Sequence, residues 1–510
     1  MNKENIKNTI EKVNRIILKY GYIIEFIMSL FLAISIYKIF TYKTYYSHIS
    51  YKNIALAIIS AIAVLYIIIL NLKENIKKLE KMFLTFMIPI GMMFVILMVP
   101  GFVADEAAHM YRAYDVQLGN IVAPVKREGT TIPKALNIND RTQIDSYQKL
   151  MEKMNEKTDY NDTEEVWCPA EGYNAIMYIF SSIAFLIGRI FNINIFITMY
   201  LARIFNYIFF LFAGYYIIKL IPFGKLVLFV YMFNPMLIHQ SAAISADSII
   251  NSITLLFIAY TLYMAFYNEE NNRKEKILYA ILAIAVSLAK YVYFPLVLLS
   301  LMLISKKKSK RQNLYIVTII GICVILAVIN FFIGNRYGSS PKANPNINMV
   351  EQVKYIIMHP IEYVKTFIKT NIELGEFYFM SFNGRSLGWL NINVFSLPVI
   401  FYAVLLVSTI WIGKNERDFN LKQKILVLAT FLVIVALIFT GLYLTYTEVG
   451  AEIILGVQGR YFIPIVLLVF LSLISKEKFV EYKHSTIIYI VLLMCINISA
   501  LEAVKIFFLK

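Results

Sequence analysis

The sequence predicts an all-α bundle of membrane-spanning helices, and three observations carry that reading. Of 510 residues, 59% are hydrophobic and only 16% are charged, which is more apolar surface than a soluble chain of this length can use. Continuous apolar runs of about 20 residues, the length a helix needs to cross a bilayer, recur at 83–99, 313–333, 391–412, 425–445 and 485–509. The net charge of +16 is spread over short basic loops between those runs, the pattern that orients helices in a membrane. A membrane β-barrel is excluded, because its strands alternate apolar and polar residues. So is a nucleic-acid partner, which calls for a clustered basic face.

Taken in order, residues 1–20 hold Lys3, Lys7, Lys12, Arg15 and Lys19 ahead of an apolar run at 21–40. That run exceeds a signal-peptide core and has no small-residue cleavage site, so it reads as a retained first span. With the run that ends at 71 it makes an accessory hairpin within a first segment, 1–82. The basic stretch 72–81 follows (Lys73, Lys77, Lys78, Lys81). Together with "SKKKSKR" (305–311), "GKNERDFNLKQK" (413–424) and "KEKFVEYK" (476–483), it is expected to face the cytoplasm. The segments 101–173, 335–390 and 446–460 then share the extracytoplasmic face. Residues 83–304, with the loop 101–173, form a second module, and 305–510, with the loop 335–390, a third.

Between 174 and 304, "IPFGK", "FNPM" and "AKYVYFP" interrupt the apolar sequence. Pro and Gly break helices at membrane depth where the backbone is buried or lines a cavity. Some pieces are therefore expected to re-enter instead of spanning, and the total is set at about 11–14 spans. No internal repeat is visible. Cys168, Cys323 and Cys495 are far apart and show neither disulfide nor metal spacing. In "VEQVKYIIMHPIEYVKTFIKT" (350–370), Val353, Ile356, Ile357, Ile361 and Val364 stand near helical spacing beside Lys and Glu. This predicts an amphipathic helix, lying in the membrane interface and walling a site with the 101–173 loop, or else an ordinary surface helix. His359, before Pro360, reads as a turn residue.

The chemistry concentrates in "VPGFVADEAAHMYRAYDVQLG" (99–119), where an apolar run ends and Asp105, Glu106, His109 and Arg112 arrive together. In a helix, Asp105, His109 and Arg112 fall at i, i+4 and i+7 on one face, with Glu106 partly to the side. A carboxylate near cations stays ionised and can serve as a general base toward a hydroxyl. Acids in a first helical turn are also ordinary caps. Spacing alone leaves both readings open. Asp247, Arg203 and Lys290 lie inside otherwise apolar sequence, where a charge costs about 2.5–3.5 kcal/mol on insertion scales and is usually paired or functional; the two cations can also snorkel to an interface. In "GVQGRYFIP" (456–464), Gln458 and Arg460 stand where a span begins, and a guanidinium there suits a phosphate oxyanion.

The segments "DEAAHMYRAYDVQLGNIVAP" (105–124), "YLARIFN" (200–206), "NPMLIHQSAAISADS" (234–248), "AKYVYFPL" (289–296), "LGWLN" (387–391) and "GVQGRYFIP" occur in that order. Over roughly residues 83–470 the chain resembles an uncharacterised bacterial family of multi-pass membrane proteins marked by DE..H..R and QGRYF.P. That family is similar to a branch of the GT-C glycosyltransferase superfamily.

The resemblance implies a GT-C-like enzyme of the plasma membrane with an extracytoplasmic site. Such an enzyme transfers a sugar, with inversion, from a polyprenyl-phosphate donor to a glycan, lipid or polymer of the cell envelope. It implies Asp105 as the base and Glu106 as its partner or substitute. His109 and Arg112 would position these acids or contact substrate, Asp247 would be a second acid facing the site, Arg460 or Lys290 would contact the donor's phosphate, and Gln458 and Tyr461 would bind substrate. A strict alternation of full spans would leave Asp247 on the cytoplasmic side. No Asp-x-Asp triplet stands near Asp105, and no resident cofactor is called for; a divalent cation, magnesium or manganese, stays open. The competing readings are a transporter or flippase of a lipid-linked saccharide, whose binding residues would sit at the midplane, and a non-catalytic envelope assembly protein.

Overall fold

A computed structural model describes residues 3–46, 50–122, 129–138, 147–267, 272–304, 309–334, 344, 346–477, 480 and 485–508. Parts of the basic loops at 305–311 and 476–483, and parts of the loops 101–173 and 335–390, lie outside the described residues.

Helices dominate, as the apolar runs predict. Seven are long and apolar enough to cross a membrane: Lys19–Phe40, Tyr51–Asn75, Leu79–Leu97, Ile195–Leu220, Ala246–Phe266, Lys310–Gly334 and Leu421–Thr445. Five shorter apolar helices accompany them: Ala175–Ile190, Tyr291–Leu303, Ser396–Ser408, Gly459–Leu473 and Ile487–Glu502. Bilayer and helices are partners of one another: the Tyr51–Asn75 and Lys310–Gly334 helices leave most of their apolar side chains uncovered by protein, the pattern of lipid-facing helices. The only strands among the described residues are two short antiparallel pairs, Thr130–Pro133 with Thr163–Val166 and Ser386–Leu387 with Ile392–Asn393.

The path of the chain fixes which ends come together. Leu79–Leu97 runs from the basic turn at 72–81 toward residues 99–105, a rise of roughly 28 Å for a helix of this length. Ile195–Leu220 runs the opposite way. The return from its far end is broken at the predicted places. Ile221–Gly224 is irregular, Lys225–Met232 is a single short helix, and Asn234 caps a second short helix, Pro235–Ser241, by accepting from the Leu237 N–H. This broken return brings Asp247, at the start of Ala246–Phe266, back to the 99–105 end. The strict alternation that would have put Asp247 on the other side fails because two half-length helices stand where a full span was counted. Arg273–Ala289 then climbs back to Lys290, and Tyr291–Leu303 descends as a 3-10 helix toward 305–311.

Residues 350–370 form two helices, Met349–Met358 and Pro360–Phe382, broken at His359 by Pro360. Val353, Ile357, Ile361, Val364, Ile368 and Ile372 make an exposed apolar stripe along both. The opposite face is tied to the segment 440–454. Gln352 Oε1 accepts from Gly450 N–H (2.9 Å), and Thr370 Oγ1 accepts from Ile454 N–H (3.0 Å). The contact with the site comes from the far end of the second helix, residues 378–382, and not from 350–370 as expected.

Candidate functional site

Two turns and one broken helix build the site. Pro100 and Gly101 end the approach from Leu79–Leu97. Gly101 takes φ +89°, and a Cβ there would meet Ile138 Cδ1 at 2.5 Å, so a glycine is required. Two residues hold this turn. Glu106 Oε2 accepts from Gly101 N–H at 2.7 Å, and Trp389 Nε1–H donates to Gly101 O at 3.1 Å. The chain then reaches Asp105 in the left-handed conformation (φ 63°, ψ 5°) before entering the helix Glu106–Gln117. A non-glycine residue held so costs of order 1–3 kcal/mol and persists only where its surroundings enforce it.

The conformation sets Asp105 apart from an ordinary helix cap. Asp105 occupies the N-cap position, yet its side chain makes no capping hydrogen bond. It instead accepts from Arg460 Nη2 at 2.5 Å and stays 48% exposed, while the Arg460 side chain is 3% exposed. Arg460 has three further contacts. Its Nε donates to Gln458 Oε1 (2.8 Å), and its Nη1 lies 3.5 Å from both Ala104 O and Asp247 Oδ2. Burial opposes ionisation of Asp105, but the charge of Arg460, helped by Lys290, outweighs it and holds the carboxyl below its usual range.

Lys290 sits where the Arg273–Ala289 helix ends. Its ammonium lies 4.6 Å from the centre of the Tyr461 ring and 5.8 Å from that of Tyr173. Among the described residues no carboxylate pairs with it, and the charge of Asp247 reaches it from farther off. The Arg460 guanidinium also lies beside Tyr461, 5.3 Å from the ring centre. His109 is buried at the edge of Tyr173 (5.4 Å between rings), with its Nδ1 hydrogen-bonded to the Tyr178 hydroxyl at 2.7 Å. Burial pushes its pKa down, against the pull of Asp105 and Asp247, so it is a neutral imidazole. Asp105, His109, Asp247, Lys290, Gln458, Arg460 and Tyr461 therefore converge.

Glu106 and Arg112 do not join them. Glu106 is fully buried and turned inward. Arg203 grips it with two hydrogen bonds (Nε to Oε1 2.7 Å, Nη2 to Oε2 2.6 Å), and Gly101 N–H and Ile244 N–H (2.9 Å) fill the remaining positions. Arg203 spends its other protons on the carbonyls of Val95, Met98 and Val99. The pair ties together the end of one span, the site turn and the broken return, and Glu106 has no lone pair left to partner Asp105. Arg112 is clamped by Asp115 (3.0 Å) and by the carbonyls of Asn120 (2.8 Å) and Ile121 (2.9 Å). Its Nε reaches Tyr173 O at 3.4 Å, so it supports the backbone of the tyrosine behind Lys290 and, among the described residues, pairs with none of the converging charged groups.

Tyr173, Tyr178 and Trp389 join the site without having been singled out as site residues. The tyrosines carry no signal in "EGYNAIMY", being two among 36. Trp389 stands in the "LGWLN" segment, whose Gly388 N–H donates to His239 Nε2 at 3.1 Å. Among the described residues no cluster of three His, Cys, Asp or Glu side chains could hold a metal ion. The Arg460 guanidinium also sits between Asp105 and Asp247, where a divalent cation bridging them would have to lie, so this donor set does not fit one. No curated protein and no solved structure matches the chain. Residues 86–469, well over half of the sequence, match the family described as predicted membrane protein (DUF2142), and the chain belongs to that family.

Proposed function

We propose that the protein is a membrane-embedded glycosyltransferase that takes a sugar from a polyprenyl-phosphate donor and gives it to a hydroxyl of an extracytoplasmic envelope acceptor. One observation carries the reading: a half-exposed carboxylate, paired to Arg460, and an ammonium with no carboxylate partner among the described residues meet around Tyr461 at the end of a helix bundle. The chemistry of glycosyl transfer needs both. Asp105 takes the proton of the acceptor hydroxyl as its oxygen attacks the anomeric carbon. The bond from that carbon to the phosphate oxygen breaks, and its electron pair leaves on the phosphate. Lys290 and Arg460 stabilise the charge that develops there. The configuration inverts, because attack and departure occur on opposite faces. His109, neutral and fixed by Tyr178, borders Asp105 without competing for the proton.

A site at a helix end, beside a loop of about seventy residues, favours surface chemistry over the midplane binding of a transporter. The test is transfer by purified protein in proteoliposomes, from a radiolabelled polyprenyl-phosphate sugar to envelope acceptors. Labelled product that needs Asp105 supports the reading. Movement of the intact donor across the bilayer, with no new glycosidic bond, would replace it with that of a flippase.

A further inference from the structure

Four contacts hold Arg460, and its side chain is only 3% exposed. Its Nε is on Gln458, its Nη1 is beside Asp247 and Ala104 O, and its Nη2 is on Asp105. From solvent, an anion reaches this covered guanidinium most directly by displacing one of those partners. Gln458 is two residues away on the same turn. Asp247 is mostly buried, its side chain 14% exposed, whereas Asp105 is 48% exposed and stands on a separate turn. Lys290, also beside the Tyr461 ring, has no carboxylate paired to it among the described residues.

We infer that Lys290 and Arg460, both beside Tyr461, form the seat of a single phosphate ester, and that filling this seat draws Arg460 off Asp105 and so frees the base. The inference rests on the glycosyl-transfer reading and adds an order to it: donor before acceptor. Charge fixes the size of the anion. Arg460 already stands against both Asp105 and Asp247, so Lys290 supplies the one charge with no carboxylate paired to it among the described residues, enough for the single negative charge of a phosphate diester. The gain is catalytic. A carboxylate gripped by a guanidinium is a weak base, and a base works best with a pKa nearer the working pH. An acceptor that arrives before the donor meets Asp105 still in the grip of Arg460, and this protects the donor-free site from idle chemistry.

The test reads Asp105 directly, without turnover. The full chain in phosphatidylcholine nanodiscs is treated with a water-soluble carbodiimide and glycine ethyl ester, which tag the protonated carboxyl, and the Asp105 peptide is quantified by mass spectrometry. Polyprenyl monophosphate is then added, and its retention is followed by native mass spectrometry. Tagging should rise several-fold on binding, since each unit of pKa is about tenfold in the protonated form. Arg460→Gln should be tagged heavily with or without the lipid. Lys290→Met should bind the lipid poorly and keep Asp105 protected. Retention of the lipid without a rise in tagging overturns the release and leaves the transferase reading standing. Failure to retain the lipid at all overturns both. An equal response to phosphatidic acid upholds the seat and the release but overturns a polyprenyl ester as its specific occupant.

Discussion

Asp105 and Glu106 are neighbours with opposite fates, and the difference lies in one backbone angle. The left-handed turn at Asp105 points its carboxylate outward to Arg460, while the helix that starts at Glu106 points the next one inward to Arg203. Two substitutions separate them. Asp105→Asn should keep the protein inserted and folded yet lower transfer by about 10²–10⁴-fold, the usual worth of a general base, measured as initial rate in proteoliposomes. Glu106→Gln should act on stability instead. It leaves the Arg203 guanidinium buried and unpaired, at a cost of about 3–5 kcal/mol, seen as a large drop in the thermal midpoint of the detergent-solubilised protein. An Asp105→Asn enzyme with near-normal turnover would reduce the 99–119 motif to a structural turn. The pH dependence follows from the same ion pair. Asp105 is held below the usual carboxylate range, so its pairing stabilises the fold above that range and is lost only as pH falls through the lowered value. In kinetics, kcat/KM for the donor reports the free enzyme and should hold to below about pH 4, the ordinary aspartate value. The acidic limb of kcat, which reports the donor-bound enzyme, should lie higher.

At the scale of elements, the site depends on how closely the Pro360–Phe382 helix approaches the Gln458–Arg460 turn. Gly459 N–H donates to Ser381 Oγ at 3.0 Å, and a Cβ on Gly459 would fall 2.2 Å from Phe382 N and 2.3 Å from Tyr378 O, both backbone atoms that cannot step aside. Gly459→Ala should therefore push this turn off the helix. Overpacking costs typically about 1–3 kcal/mol, and the shift should also displace Arg460 and weaken donor binding. A thermal melt and a donor titration check the two effects, and an alanine variant that matches the native protein in both would show that the contact is soft. The sequence displays part of this arrangement and hides the rest for physical reasons. Asp105, Asp247, Lys290 and Arg460 were legible because a charge in apolar sequence is costly and so stands out. The breaks at "IPFGK" and "FNPM" were legible because Pro and Gly end helices locally. The pairing of Glu106 with Arg203, 97 residues away, was not, since the reach of a side chain across a bundle leaves no mark on local spacing. Nor was the inward turn of Arg112, because helical spacing assigns a face without saying what that face meets. The need for glycine at 459 comes wholly from the neighbouring helix.

The whole molecule sorts its turns into two sets. Basic stretches cap one end of the bundle at 72–81, 413–424 and the described part of 305–311, while residues 99–122, 147–174, 346–393 and 446–460 gather at the other, around Asp105. By the positive-inside rule the excess of Lys and Arg in short loops is expected to retain those loops in the cytoplasm, and the proposed function calls for the Asp105 end on the opposite side, where an envelope acceptor would be met. Asn161, exposed just before the strand Thr163–Val166, is suited to a reporter. In a chain with Cys168, Cys323 and Cys495 replaced, Asn161→Cys should react with a membrane-impermeant maleimide in intact cells. A cysteine at Lys414, in the basic loop at the opposite end, should react only after the membrane is opened. The two sites control for each other, since a leaky preparation labels both and a buried site labels neither. The reverse pattern would place Asp105 in the cytoplasm and remove the extracytoplasmic acceptor, whatever the chemistry of the site.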